Sequence, residues 1–463
     1  MRNDKKDVLS TMRDLTQGKP LKQILLFAVP MLLGNIFQQL YNIVDTVVVG
    51  RILGAHALAA VGVTGSLTWL ITGICIGITM GCSVFTAQRK GAGDMDGVRR
   101  SFAAHVEIAG IFGIVISVAA VFLAKPLLLL IKTPADILDD AVLYLRIYYG
   151  GLLASLLYNV LSSTMRALGD SKTPLFFLIA CSLLNVAGDL VLILVFDMGV
   201  AGAAIATIAA QLLSGLACLV YVIKKFPAMH FKREDLKLPW SWLWAHLRIG
   251  LPMGLQFSIG TVGNLVQQSV LNSFGANAVA GFTVGVRVDG LMMNIIITMS
   301  SALSTFVGQN RGADRYDRIR TGLWQMLLVT VGIACVMGCA VLVFRRAIIS
   351  CFISLDNTEV VDYASQALKW LASFYFLMGI QFIFRDSLSG LGDASVTLIG
   401  AILELSSRVA IPTLLSGIIG YTAICISWPC SWLLCSIVLG ILFVIRLRSY
   451  AEKFKNAVPV SEA

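Results

Sequence analysis

Pro174-Leu-Phe-Phe-Leu-Ile-Ala-Cys-Ser-Leu-Leu-Asn185-Val-Ala-Gly-Asp189-Leu-Val-Leu-Ile-Leu-Val-Phe196 is long and apolar enough to cross a bilayer as one helix. At about 1.5 Å per residue, roughly 20 residues span the hydrocarbon core. Two members of the run do not suit hydrocarbon. Asn185 and Asp189 are four apart, so a helix points both the same way. A carboxylate near mid-bilayer costs about 2.5–3.5 kcal/mol on insertion scales. A sequence keeps such a group when it binds something, relays a proton or pairs with a base.

Spanning stretches recur twelve times, at 21–49, 57–86, 102–124, 137–164, 173–196, 201–223, 246–272, 278–307, 319–344, 362–390, 395–417 and 420–445. The composition agrees: 57% of the 463 residues are hydrophobic and 13% charged, against about 45–50% and about 25% in soluble domains. The expected class is an all-α integral membrane protein. Its ten cysteines form no CxxC and sit in apolar runs, where they read as small packing residues. The N-terminus alternates acids and bases without an apolar h-region, so no removable signal peptide is expected.

The net charge of +10 is explained by loops rather than by nucleic acid. Of the 36 Lys and Arg, 27 lie in the terminal tails or at the even-numbered loops, and five at the odd-numbered ones. The positive-inside rule puts both termini and the even loops in the cytoplasm, in a multi-pass protein of the cell membrane. The basic loops suit contact with anionic lipid. Pro239-Trp-Ser-Trp-Leu-Trp244 reads as an interfacial aromatic anchor on the longest link.

The chain repeats itself. Gly54-Ala55 recurs as Gly275-Ala276, and Gln88-Arg-Lys-Gly91-Ala92 as Gln309-Asn-Arg-Gly312-Ala313. Pro30-Met31 matches Pro252-Met253, Arg146 matches Lys369, and Leu168-Gly169-Asp170 matches Leu391-Gly392-Asp393. Six spans per half is an even number, so both halves start on the same side. The expected design is two pseudo-symmetric six-helix bundles, related as parallel repeats, around a central cavity. The expected boundaries are a cytoplasmic tail 1–20, a first lobe 21–223, a linker 224–245, a second lobe 246–445 and a cytoplasmic tail 446–463.

No P-loop, HExxH, GxSxG or Cys/His ligand cluster occurs, and His56, His105, His230 and His246 are scattered. An enzyme is not expected, nor a cofactor. The chemistry must lie in intramembrane polar groups. In the first half these are Asp45, Asn185, Asp189 and Thr207. Counted from the ends of their spans, Asp45 lies roughly 36 Å and Asp189 roughly 24 Å in from the cytoplasmic side, and Thr207 roughly 9 Å from the outer side. All fall in the outer half of a core about 30 Å thick. Two carboxyls, an amide and a hydroxyl at matched depth suit H⁺ or Na⁺. They are the only metal-binding candidates, and only for Na⁺. In the second half Glu404 and Arg408 are four apart and read as an intrahelical ion pair. Arg287 and Asp289 are two apart; they could pair across helices, with Asp289 reaching Arg408. Asp386, beside Arg385, reads as interfacial. The second half balances its charges, whereas the first leaves two acids without an evident base.

At these residues the chain closely resembles the multidrug and toxic compound extrusion (MATE) transporters, over roughly 20–445. The resemblance rests on twelve spans in two bundles and on Tyr41-Asn-Ile-Val-Asp-Thr-Val-Val-Val-Gly-Arg-Ile-Leu-Gly54. It rests also on the Gln-x-[Lys/Arg]-Gly-Ala pair and on Met165-Arg-Ala-Leu-Gly-Asp170. It implies efflux of organic, often cationic compounds, driven by inward H⁺ or Na⁺ through alternating access. The family's N-terminal cation site falls on Asp45, Asn185, Asp189 and Thr207, and its helix-kinking proline on Pro30. Two departures put a second-lobe Na⁺ site in doubt. The seventh span has no glutamate, and Ser389 stands where an arginine often precedes the tenth-span Gly-Asp.

The expectation is therefore a cation-coupled antiporter that exports small organic, mostly cationic compounds, embedded in lipid and working as a monomer. Occupancy of the acids would bias the lobes between states of different affinity. Phe37, Tyr41, Met292 and Met293 are candidates for a pliable substrate surface. A lipid-linked oligosaccharide flippase of the same broad superfamily is the principal rival. It would favour several cavity arginines, and only Arg287 and Arg408 are available. A non-transporting receptor or scaffold would not need acids at matched depth, and an importer would differ only in direction.

Overall fold

Apolar sequence in a bilayer must satisfy its own backbone, and the helix does so within one segment. The computed structural model describes residues 13–226, 229–230 and 232–457, and all regular structure among them is helical. The N-terminal tail up to residue 12 and residues 458–463 lie outside the described residues. The helices are α1 (Pro20–Ile52), α2 (Gly54–Gly91), α3 (Met95–Leu130), α4 (Ala135–Gly150), α5 (Leu152–Ala167), α6 (Lys172–Leu190) and α7 (Gly199–Lys225). A short 3₁₀ turn, Arg233–Leu236, leads to α8 (Trp240–Asn272) and α9 (Ala276–Gly312). Then come α10 (Tyr316–Val343), α11 (Arg345–Ser350), α12 (Thr358–Ser373), α13 (Tyr375–Gly390), α14 (Ala394–Ile419) and α15 (Thr422–Ala457).

Among the described residues ten single helices are long and apolar enough to cross a membrane, and two bent pairs make twelve if each pair is one span. The fourth and tenth expected spans are the bent ones: α4 meets α5 at 46° and α12 meets α13 at 49°. The breaks, Gly151 and Phe374, occupy equivalent places in the repeat. Residues such as Phe122, Leu130, Val195, Leu328 and Ile418 point outward, the surface that lipid requires and water would not tolerate.

The contacts divide the chain into two units, 1–15 with 26–257, and 16–25 with 258–463. The division runs through α1 and α8 rather than through the link between halves. In the first unit the start of α8 packs on α2 backbone to backbone. A Cβ on Gly77 would stand 2.6 Å from Gly254, and one on Gly81 2.5 Å from Gly250. Only glycine permits that approach. The 3₁₀ turn is held to the same unit by Arg99, whose Nε donates to Asp235 Oδ2 at 2.7 Å. In the second unit the turn leading into α1 is secured by Arg318, which donates to the carbonyls of Gly18 (2.7 Å) and Gln17 (3.1 Å).

The expected tail 446–463 is helix as far as Ala457, and Trp240–Ala245 of the expected linker is helix as well. Trp242 explains the second difference: it packs on Phe85 at 5.8 Å and under the Arg89 guanidinium at 5.1 Å, while Trp240 and Trp244 stay outside. The repeated Leu-Gly-Asp runs are helix connectors. Gly169 has φ +95°, and a side chain there would strike the Arg13 carbonyl. Asp170 then caps α6, accepting from the backbone N–H of Lys172 and Thr173 at 3.1 and 3.0 Å.

Candidate functional site: a carboxyl pair in the first unit

Small residues let the helices close in. At Gly188 a Cβ would lie 3.1 Å from the Ala206 Cβ, so α6 and α7 approach nearly to backbone contact. That approach brings Asn185, 1% exposed, against Thr207, with the amide 3.2 Å from Thr207 Oγ1. The amide orientation that satisfies every neighbour turns its nitrogen to Asp189 Oδ2 (3.1 Å). Its oxygen then accepts from Thr207 Oγ1 (3.2 Å) and the Thr207 backbone N–H (3.0 Å). The amide thus holds one carboxyl and one hydroxyl in fixed relation.

Asp189 is fully buried and meets Asp45 of α1 in hydrogen-bonding contact, carboxyl to carboxyl. Each keeps one oxygen, Oδ1, buried without a hydrogen-bond partner. Tyr41, one turn before Asp45, sets its hydroxyl against Thr207. Tyr144 of α4 stands beside both acids. Val49, Ala57, Ile193, Ala203 and Ala204 form an apolar wall around Tyr144. Directly after Asp189, α6 changes to a single π turn, Val191–Val195, with Phe196 N–H donating to the Val191 carbonyl at 3.2 Å. Such turns widen a helix by one residue and gather at functional sites. Two contacting carboxyls cannot both carry an unscreened charge.

The second unit holds a different cluster. Arg408 pairs with Glu404 one turn before it on α14, and Nη1 donates to Asn264 Oδ1 at 2.6 Å. Its guanidinium lies 4.2 Å from the Trp428 ring centre, and Gln381 donates to Glu404 at 3.2 Å. Asp289 is buried on α9 near Arg408. The expected pairing of Glu404 with Arg408 is present.

Comparison with known proteins places this architecture. The MatE family profile matches twice, over residues 30–191 and again over 252–413. This chain belongs to the MatE family. It is 33% identical over 383 residues to the "Probable multidrug resistance protein YpnP" of Bacillus subtilis (strain 168), covering 82% of this chain and 84% of that protein. It is 28% identical over 402 residues to the "Probable multidrug resistance protein YoeA" of the same organism, covering 84% and 82%. The fold is that of a MOP superfamily transporter from Pyrococcus furiosus, at TM-score 0.86 and 24% identity, covering 94% of this chain and 98% of that one. The chain is thus a multi-span membrane protein of the MATE transporters, built from two repeated halves.

Within this MatE chain several sequence candidates move. Arg287 is exposed on α9 and lies outside the ion pair, because Asp289 two residues on faces the interior. Met292 is 2% exposed and packs in the second unit's core with Phe282, Trp428 and Trp432, so it is not a substrate-surface residue. Met293, the next residue round the helix, is exposed. Phe37 is exposed on the face of α1 that carries Tyr41 and Asp45, while Tyr41 joins the carboxyl site. Pro30 is buried inside α1, which stays helical from Pro20 to Ile52. Asp386 is buried, held by Arg385 Nε at 3.0 Å and the Ser300 hydroxyl. The histidines are not all scattered. His105 and His246 are buried neighbours in the first unit, and His246 Nε2 is 2.7 Å from Ser101 Oγ. Tyr144 is the site residue that the sequence reading missed; its signal is an aromatic pair with Tyr148, one turn apart and stacked at 6.2 Å.

Proposed function

We propose that this protein is an H⁺- or Na⁺-coupled antiporter that exports small organic, mainly cationic compounds by alternating access. The observation that carries the reading is the contact between Asp45 and Asp189, fixed by Asn185 and Thr207. A proton shared between the carboxyls, or a Na⁺ among their oxygens, removes the repulsion and draws α1 and α6 together. An empty pair repels, pushes α1 off α6 and presents negative charge to a cationic compound. The two states thereby differ in affinity for both ligands, which an exchange cycle requires. The names of the relatives support multidrug compounds as the cargo class. Of the two arginines that a flippase cavity could use, Arg408 is paired with Glu404, which leaves Arg287 alone and argues against the flippase alternative and its need for several free cavity arginines.

The test is reconstitution in liposomes with a fluorescent cationic dye under imposed pH or Na⁺ gradients. Wild type should move dye against the gradient it uses, and Asp45→Asn and Asp189→Asn should lose that drive. Undiminished gradient-driven transport in both variants would overturn the coupling site. No dye movement under any gradient would overturn the antiporter.

A further inference from the structure

The first turns of α8 have two faces. The inward one is committed: Leu247 is buried with Ile78, Cys82 and Ile108, and His246 bonds Ser101. The outward one is not. Trp240 and Trp244 are 66% and 52% exposed, and their rings stack at 6.4 Å with 25° between the planes. Arg248, one turn further on, is exposed, although Leu247 and Ile249 on either side of it are buried. Positions 240, 244 and 248 are four apart and make one stripe along the helix. Lys237, also exposed, precedes it. Neither Arg248 nor Lys237 joins an ion pair among the described residues. The stripe is not a product of the repeat. Pro30 answers to Pro252, which sets Lys22 and Leu26 where α8 has Trp244 and Arg248.

We propose that this stripe binds the headgroup of an anionic phospholipid in the leaflet that α8 enters. The apolar span of α8 is expected from residue 246 onward, so the two indoles stand at the interface and Arg248 just inside it. Indole rings favour that depth, and a cation there reaches back to the headgroups. A helical side chain leans toward the N-terminus, so Arg248 reaches toward the turn that carries Trp244. A lipid phosphate at that level supplies the acid that the protein does not. The indole N–H groups are further donors to it. Lys237, on the water side of the rings, adds a second positive charge. Charge selects the lipid. A zwitterionic headgroup brings its own ammonium, which competes with Arg248 and Lys237 for the phosphate, whereas an anionic one does not. The site shares no residue with the Asp45–Asp189 pair.

Brominated lipids test it, because bromine on the acyl chains quenches the tryptophans that a lipid touches. The protein is reconstituted in mixed vesicles of phosphatidylcholine and phosphatidylglycerol, with bromine on one lipid or on the other. The signal of Trp240 and Trp244 is the difference between each protein and its Trp240→Phe/Trp244→Phe counterpart. The expected result is a preference of about five-fold for the anionic lipid at these two tryptophans. Arg248→Gln/Lys237→Gln should abolish the preference, and Arg248→Lys should keep most of it. Lys22→Gln, at the matching place on α1, should leave it unchanged. Equal quenching by the two lipids would overturn the site, as would a preference that survives in Arg248→Gln/Lys237→Gln. Loss of quenching by both lipids as the protein-to-lipid ratio rises would place a second copy on the stripe and overturn it too.

Discussion

Asp45 and Asp189 face each other carboxyl to carboxyl across α1 and α6, each with one buried oxygen left unpartnered. Residues in such contact do not act independently. Asp45→Asn/Asp189→Asn should therefore lose little more gradient-driven transport than the worse single variant. Initial dye-transport rates for the two singles and the double check this, and multiplying losses would refute it.

Gly188 sets the spacing on which Asn185 and Thr207 depend. Gly188→Val adds atoms where a Cβ alone already lies 3.1 Å from Ala206 Cβ. Overpacking of this kind costs about 1–3 kcal/mol. The expected outcome is a lower Tm in detergent together with lost gradient drive. Gly188→Ala, which asks only for a few tenths of an ångström, should keep most of both.

Arg408 is stabilised by partners that it would abandon if removed. Arg408→Met leaves the partly exposed Glu404 and the buried Asp289 without that base, a loss bounded by the about 3–5 kcal/mol for breaking a fully buried pair. Glu404→Gln/Arg408→Met removes both charges of the pair and should recover much of that loss. Thermal unfolding of the three proteins, wild type included, decides it.

Outside the membrane, the Arg99–Asp235 contact makes a pH-dependent clasp. Burial alone would push the Asp235 carboxyl up, but hydrogen bonds from Arg99 and the Lys232 backbone N–H outweigh it and hold it below the usual carboxylate range. A depressed folded-state value means that this stabilisation is complete above the unfolded carboxylate range of about 4 and fades as pH falls through the folded value. Asp235→Asn should lower Tm at neutral pH, and the gap to wild type should narrow in acid.

Met292 and Phe37 separate packing from recognition. Met292→Ala should cost about 2–5 kcal/mol through a core cavity, with the ranking of transported dyes unchanged. Phe37→Ala, at an exposed position, should leave Tm within about 0.5 kcal/mol of wild type in equivalent stability and alter the dye ranking. Thermal unfolding and competition between dyes test both.

Much of this was legible because a bilayer makes strong demands. The spans follow from the length and polarity of each run, and the repeat from ordered matches such as Leu168-Gly169-Asp170 with Leu391-Gly392-Asp393. Counting residues from span ends brought Asn185, Asp189 and Thr207 to one depth with Asp45, since helical rise is constant. The bend at Gly151 had a Gly-Gly warning, whereas its equivalent at Phe374 has neither Gly nor Pro and is set by packing. Met292 and Met293 look alike in sequence, and only the rotation of α9 separates core from surface. His105 and His246 are far apart in the chain, so their proximity was invisible until α8 was seen docked on the first unit.

The π turn after Asp189 closes the segment, adding one residue between the acid and the non-helical residues 196–198 that lead into α7. One residue is about 100° of helical rotation. The extra residue therefore sets the direction in which the chain leaves the part of the segment bearing Asn185 and Asp189 and turns toward α7. A single deletion within Val191–Val195 would leave the hydropathy profile untouched and still swing the acid out of alignment with Thr207. Length, more than composition, is the property of this short run that a working protein must preserve.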